Sequence, residues 1–301
     1  SFSAGAQHTI DITKGNIDPT PVAVPNFLAE SAELSQLGGD MASVIRSNLK
    51  RSGLFVSLNP DGFLETQANI DYQPNFSSWR VINAQALVSG RIVPEGSNKL
   101  RVEFRLWDIF AGKQLIGIRF ITIKDQWRRA AHKASDEIYK ALTGEIGYFD
   151  SRIVFIDEKG SKLNRKKSLA IMDQDGYGTK LLTDGSQLII TPRFSPSAQK
   201  TVYMSYENIT PSVYLLDIET GKRTRLGSFP GMTFAPRFSA DGNKLVLSMI
   251  KDGNSDIYSL DLDSGLSIRL TNDTSIDVSG SYSPDGEHIV CNSDRVGNTH
   301  L

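Results

Sequence analysis

The sequence predicts two unlike parts, an α/β domain followed by an all-β propeller. Three observations carry this. After about residue 150 a motif recurs at a fixed step: Phe194, Phe238 and Tyr282 are 44 residues apart (238 − 194 = 282 − 238 = 44), and Asp173, Asp217 and Asp261 keep that step, as do Leu182, Leu226 and Leu270. A constant period of roughly 40 to 50 residues marks an array of equal supersecondary units. Within each unit apolar residues alternate at period two, which gives four short antiparallel strands, the blade of a propeller, and excludes stacked helical repeats. Before residue 150, stretches with the period of an amphipathic helix interleave with strand-like runs.

The bulk composition agrees and excludes several function classes. A chain of 301 residues favours two domains over one. Its formal net charge of −1 offers no electrostatic case for nucleic acid or an anionic membrane. No apolar run approaches the ~18 residues of a spanning helix. The one cysteine, Cys291, rules out an internal disulfide and a cysteine-based zinc site, and its place in Ile289-Val290-Cys291 reads as a buried small hydrophobe.

Taken in order, Ser1 to Ala6 shows an Ala-x-Ala pattern at Ala4 and Ala6 before polar Gln7. That is the tail expected of a secretory signal, although a disordered terminus fits as well. His8 to Pro19 is polar and turn-rich with an Ile10/Ile12 alternation, so it reads as an arm that pairs with something else. Residues 1–20 are therefore expected to be a signal remnant and flexible arm.

Pro21 to Pro25 is a short strand bounded by prolines. Leu34, Leu37, Met41, Val44, Ile45 and Leu49 form one helical face; Arg46, Lys50 and Arg51 suit its C-terminal dipole, and Gly53 stops it. Phe55 to Leu58 is a strand and Trp79 to Asn83 a short helix. Leu87 to Val93, Leu100 to Asp108 and Leu115 to Lys124 make an antiparallel meander. In its middle strand Leu100, Val102, Phe104 and Leu106 face the core while Arg101, Glu103 and Arg105 face water. Asp125 is expected to cap a last helix with Trp127, Ala130, Ala131, Ala134, Ile138 and Ala141 on one stripe, ended by Gly144. Residues 21–149 thus form an α/β domain, its helices packed on a small mixed sheet.

Residues 150–301 hold the blades. In the fullest copy Ala235 to Ser239, Lys244 to Ile250, Asp256 to Asp261 and Ser267 to Thr271 are the four strands. Ser239-Ala240-Asp241-Gly242 turns between the first two, and Ser283-Pro284-Asp285-Gly286 repeats that turn with proline and glycine at their favoured positions. Ser195-Pro196-Ser197-Ala198 keeps the proline and loses Asp-Gly. Ile153 to Ile156 and Leu169 to Asp173 supply an earlier, degenerate blade. The count is about three and a half blades, fewer than the four to eight or so that close a ring, so the native protein is expected to continue past Leu301.

Several stretches together resemble the TolB family, the periplasmic components of the bacterial Tol-Pal system. The most specific is Asp125 to Ile156 (DQWRRAAHKASDEIYKALTGEIGYFDSRIVFI), similar to the family's passage from its N-terminal domain into the propeller. Pro21 to Phe27 and Arg46 to Phe55 resemble the family's first strand and helix. The WD40-like blade motif alone is shared by many unrelated propellers. The resemblance covers nearly the whole chain and implies a six-bladed propeller and a protein that binds others rather than catalysing. It further implies a periplasmic place and a role in outer-membrane integrity and constriction at cell division. The propeller mouth would hold Pal, the peptidoglycan-associated lipoprotein, and the arm would engage the inner-membrane protein TolA, with other outer-membrane proteins as further candidates. The arm is His8, Thr9, Ile10, Asp11, Ile12, Thr13, Lys14 and Gly15. The Pal-contact positions map onto Met232, Thr233 and Ala235, onto Asp277 and Val278, and onto Ile189 and Thr191. Packing at a blade top is the competing reading for Met232 and Val278. The resemblance also makes the Ala-x-Ala pattern a signal remnant and Gln7 the mature start.

The alternative is the propeller cap of a prolyl-oligopeptidase-like serine peptidase, whose catalytic domain would lie beyond residue 301. Its Gly-x-Ser-x-Gly elbow does not occur here, and Gly280-Ser281-Tyr282-Ser283-Pro284 lacks the register. His8, His132, His288 and His300 have no ligand spacing, and His132 reads as a structural histidine on its helix. Asp173 to Gly178 with Asp184 is similar to a calcium loop. Tyr177 occupies a ligand position and Asp184 stands where glutamate is required, so no calcium site is expected. Neither catalytic residue, metal nor cofactor is predicted.

Overall fold

The computed structural model of the chain describes residues 18–65, 69–207, 211–226 and 232–301. The arm positions His8 to Gly15 lie outside the described residues. The chain divides into two compact units, the first ending at Ser151 and the second running from Arg152 to Leu301.

In the first unit β1 (Thr20–Ala23), β2 (Leu28–Ala29), β3 (Phe55–Ser57), β4 (Ala86–Pro94), β5 (Lys99–Asp108) and β6 (Lys113–Ile123) form one mixed sheet. Its order is β3-β1-β4-β5-β6, with β2 also on β4; β1 is parallel to β3 and β4, and β4 to β6 make the antiparallel meander. Three helices accompany it: α1 (Ala32–Arg51), α2 (Phe76–Val81) and α3 (Trp127–Thr143). The apolar stripes of α1 and α3 meet the alternating face of β5, so Met41, Ile45, Ala134 and Ile138 share one core with Leu100, Val102, Phe104 and Leu106. Each of these larger side chains contributes about 1.5–3 kcal/mol by leaving water. On the opposite face of β5, Glu103 is half-buried between Arg91 at 2.5 Å and Arg101 at 3.0 Å. A second core of Trp79, Phe63 and Trp107 lies under α2.

Phe27 fixes the distance between α1 and the sheet. Its ring is fully buried, and a Cβ added at Gly90 of β4 would fall 2.5 Å from it. A Cβ added at Gly38 of α1 would fall 2.3 Å from the Phe27 carbonyl oxygen. Both glycines sit in element interiors, where glycine is otherwise unfavourable. Polar residues in this core bond one another: Asn48 Nδ2 donates to Ser135 Oγ and lies against His132 Nδ1, both at 2.9 Å. His132 thus links α3 to α1.

Two helix starts differ from expectation. Asp125 does not cap α3; it lies in a 3₁₀ turn, Lys124–Gln126, and Gln126 precedes α3 at φ −102°, ψ 17° with no side-chain cap. An N-cap side chain needs an extended backbone to reach the free N–H groups, and the tight turn denies it. Helix α2 starts earlier than Trp79 because Asn75 Oδ1 accepts from Ser77 N. At the other end Gly144 closes α3 at φ +81°, donating to the Lys140 carbonyl.

The second unit is a series of antiparallel sheets. The first holds β7 (Arg152–Lys159), β8 (Lys166–Asp173) and β9 (Lys180–Leu181). The next is β10 (Ile189–Phe194), β11 (Lys200–Ser205), β12 (Ser212–Asp217) and β13 (Arg223–Leu226). Then follow β14 (Met232–Phe238), β15 (Lys244–Lys251), β16 (Asn254–Asp261) and β17 (Ser267–Arg269), and last the pair β18 (Asp277–Tyr282) and β19 (Ile289–Ser293). Each strand pairs with the next in sequence, the order of propeller blades. Val202, Met204 and Val213 of one blade pack on Leu245, Leu247 and Leu260 of the next.

The repeated aspartates explain themselves as turn closures. Asp217 Oδ1 accepts from the backbone of Glu219 and Thr220, and Asp261 Oδ1 from that of Asp263 and Ser264. In the first turn of the blade Asp241 Oδ1 accepts from Ser239 Oγ at 2.5 Å and Asn243 N at 3.0 Å, with Gly242 at φ +78°. Asp285 and Gly286 repeat this; the copy with Ser197 and Ala198 instead closes by Lys200 N on the Ala198 carbonyl. Cys291 departs from expectation: on β19, in a two-stranded sheet, it is half-buried rather than buried.

Candidate partner-binding mouth

In the last three of the second unit's four sheets the first strand breaks its ladder at the same place. In β10 the pairing jumps from Ile190↔Met204 to Arg193↔Val202, in β14 from Phe234↔Ser248 to Arg237↔Val246, and in β18 from Val278↔Asn292 to Ser281↔Val290. Two residues therefore oppose one, the geometry of a β-bulge. The first bulged residue is left-handed every time: Thr191 at φ +50°, Ala235 at +53° and Ser279 at +59°. None is glycine, so each carries steric strain at the start of an innermost strand. The second bulged residue is Pro192, Pro236 or Gly280. Proline has no N–H for the ladder to lose, and a Cβ at Gly280 would fall 2.7 Å from Val246 Cγ2.

The expected contact positions fall on two sides of this bulge. Ile189, Thr233 and Asp277 occupy equivalent sites and are buried, at 3%, 1% and 0% exposure. Thr191, Ala235 and Val278 are half-buried, and the Thr191 hydroxyl oxygen is itself buried. Met232 opens β14, and its side chain is outside the described set. Ser279, exposed and strained like Thr191 and Ala235, was not among the expected residues; the 44-residue step from Ala235 points to it.

Asp277 is built into the third blade top. Its carboxylate receives Arg295 Nη2 at 2.7 Å, and its carbonyl accepts from Ser255 Oγ at 3.0 Å. Burial alone would raise its pKa. Hydrogen bonds from Ser293, Arg295 and Thr271, with the charge of Arg295, outweigh burial and hold it below the ordinary aspartate value. Ser248 Oγ accepts from Ser279 N at 3.0 Å, and Ser259 Oγ lies 2.7 Å from the Tyr282 hydroxyl. Three serines of one blade thus hold the innermost strand of the next. Such a mouth can bind: it offers partly apolar backbone corners of fixed shape.

Among the described residues of these blades, Asp285, Glu287 and His288 bring ligand atoms within 4.8 Å of one another. They lie on an exposed turn where Asp285 already accepts from Glu287 N at 3.0 Å. No helix is long and apolar enough to cross a membrane among the described residues.

Comparison with known proteins gives two family matches. The TolB amino-terminal domain matches residues 8–115, and the TolB beta propeller domain residues 139–301. The crystal structure of TolB from Acinetobacter baumannii aligns at 30% identity over 97% of this chain and 70% of that chain, with a TM-score of 0.77. A putative TolB from Agrobacterium tumefaciens aligns at 15% identity over 65% of this chain and 66% of that one, TM-score 0.40. A prolyl endopeptidase structure aligns at 13% identity over 49% and 25%, TM-score 0.39. The last two are too distant to carry an argument. The propeller match alone spans more than half of the sequence, and the Acinetobacter structure follows both units, so the chain belongs to the TolB family.

Proposed function

We propose that the chain acts in the periplasm as the protein-binding adaptor of a Tol-Pal system, without catalysis. Its propeller mouth takes Pal, and its arm, His8 to Gly15, takes TolA, joining outer to inner membrane during constriction. The observation that supports this best is the triple bulge. Thr191, Ala235 and Ser279 present three equivalent, pre-shaped corners on one rim, a geometry suited to a protein ligand. Thr191, Ala235, Val278 and Met232 are read as direct contacts, and Ile189, Thr233 and Asp277 as the buried residues that position them. The test is capture of Pal by the full-length protein. Changing Thr191, Ala235 and Val278 together to aspartate should weaken capture at least tenfold; unchanged affinity refutes the site. Deleting His8 to Gly15 should abolish TolA binding and spare Pal, and retained TolA affinity refutes the role of the arm.

A further inference from the structure

Just past the bulges of the same innermost strands lies a depression of about 330 Å³, formed by three neighbouring blades. Its walls are one repeat position taken three times, Arg193, Arg237 and Ser281, and the next taken three times, Phe194, Phe238 and Tyr282. None of its lining residues is acidic. The ion pairs of these blades employ Arg223, Arg269 and Arg295, and Arg193 and Arg237 take part in none of them. Arg193 Nη1 donates to the neighbouring Pro192 carbonyl at 3.2 Å. The walls of the depression desolvate Arg193, and the like charge of Arg237 adds to that, both pulling its pKa below the usual arginine value.

The repeat thus places two arginines, both exposed, along one depression, with no carboxylate within ion-pair distance of either among the described residues. Their fork of N–H donors matches a tetrahedral oxyanion, and charge-assisted hydrogen bonds of this type are strong. Phe194, Phe238 and Tyr282, half-buried, line the same depression. We propose that this depression is an oxyanion seat, in which Arg193 and Arg237 hold a phosphate-type group between them and the Ser281 hydroxyl completes the ring. The group can come from free inorganic phosphate or from a phosphate ester. The seat adjoins the bulged corners, since Arg193 and Arg237 directly follow Pro192 and Pro236.

The experiment is calorimetric titration of the full chain with inorganic phosphate and with glycerol phosphate at constant ionic strength, with chloride as the control. Saturable binding at one site is expected. Arg193→Gln and Arg237→Gln should each weaken it about tenfold or more, and the double variant should abolish it. Ser281→Arg, which fills the third equivalent position, should tighten it severalfold. Tighter binding of the ester assigns the seat to esters, and tighter binding of the free anion to phosphate itself. A second reading uses thermal unfolding: phosphate should raise the melting temperature of the wild type and leave the double variant unmoved. Equal binding by wild type and double variant, an equal effect of chloride, or weaker binding by Ser281→Arg overturns the proposal. The readouts are phosphate titration and unfolding alone, so the outcome does not depend on Pal capture.

Discussion

Ala235 holds its backbone at φ +53°, a region that costs an L-residue roughly 1–2 kcal/mol relative to the right-handed one. A branched side chain there is worse, because both γ-carbons meet the adjoining carbonyl. Ala235→Val should therefore lower stability by about 1–3 kcal/mol in urea unfolding, and Ala235→Gly should cost nothing or help. Equal tolerance of valine and glycine would mean the strain is absent. Asp277 gives a second test at this scale. Its folded pKa is below the unfolded value of about 3.9, so its contribution is complete above that pH and is lost as pH falls through the folded pKa. Asp277→Asn should flatten the acid limb of the stability profile, measured as the urea midpoint at successive pH values. Sequence reached Thr191 and Ala235 because the family motif runs through them. It passed over Ser279, although the 44-residue step from Ala235 leads there, since nothing in a serine side chain announces a left-handed backbone. Arg193 and Arg237 stand one repeat apart, yet the sequence alone does not single them out; the depression they line does.

Helices and strands carry a different kind of constraint. Gly38 lies inside α1, where alanine is intrinsically better by about 1 kcal/mol. A methyl there would sit 2.3 Å from the Phe27 carbonyl, and such overpacking costs about 1–3 kcal/mol, so packing wins and Gly38→Ala should destabilise. Gly90→Ala should do the same from the sheet side, against the Phe27 ring. Both are read by thermal or urea unfolding; a stabilised Gly38→Ala would show that helix propensity outweighs the contact. At the start of α1, Ser31 Oγ accepts from Leu34 N at 3.3 Å, and Ser31→Ala should cost about 1 kcal/mol. The stripes of α1 and α3 and the alternation in β5 were legible because one face of each is buried against a single core. The Phe27 contact was not, because it joins three elements distant in sequence. Asp125 misled for a local reason: the residue type suits a cap, but an intervening 3₁₀ turn moves it out of reach.

At the scale of the molecule the two units have separate cores, the first built on β5 with α1 and α3, the second between successive blades. The second unit should be the more acid-sensitive. Asp241 and Asp285 are held below the usual carboxylate range first by Ser239 and Ser283, and Asp217 and Asp261 first by the backbone of Thr220 and Ser264. Each contribution is present above about pH 3.9 and fades as pH drops through the folded value. Calorimetry at falling pH should show the propeller transition moving to lower temperature, and Asp241→Asn with Asp285→Asn should reduce that movement. The blade architecture was the most legible part of all, because a constant step is a property of the whole array and survives the loss of Asp-Gly in one copy.

The bulged rim has one more consequence, for kinetics. Thr191, Ala235 and Ser279 are forced into their shape by the blades behind them, so the ordering is complete before any partner arrives. A surface of that kind needs no rearrangement on encounter, and its association rate is set by diffusion and orientation. Substitutions along the rim should then leave encounter rates nearly constant and alter how long a complex persists, making the lifetime of the bound state the quantity that this part of the sequence tunes.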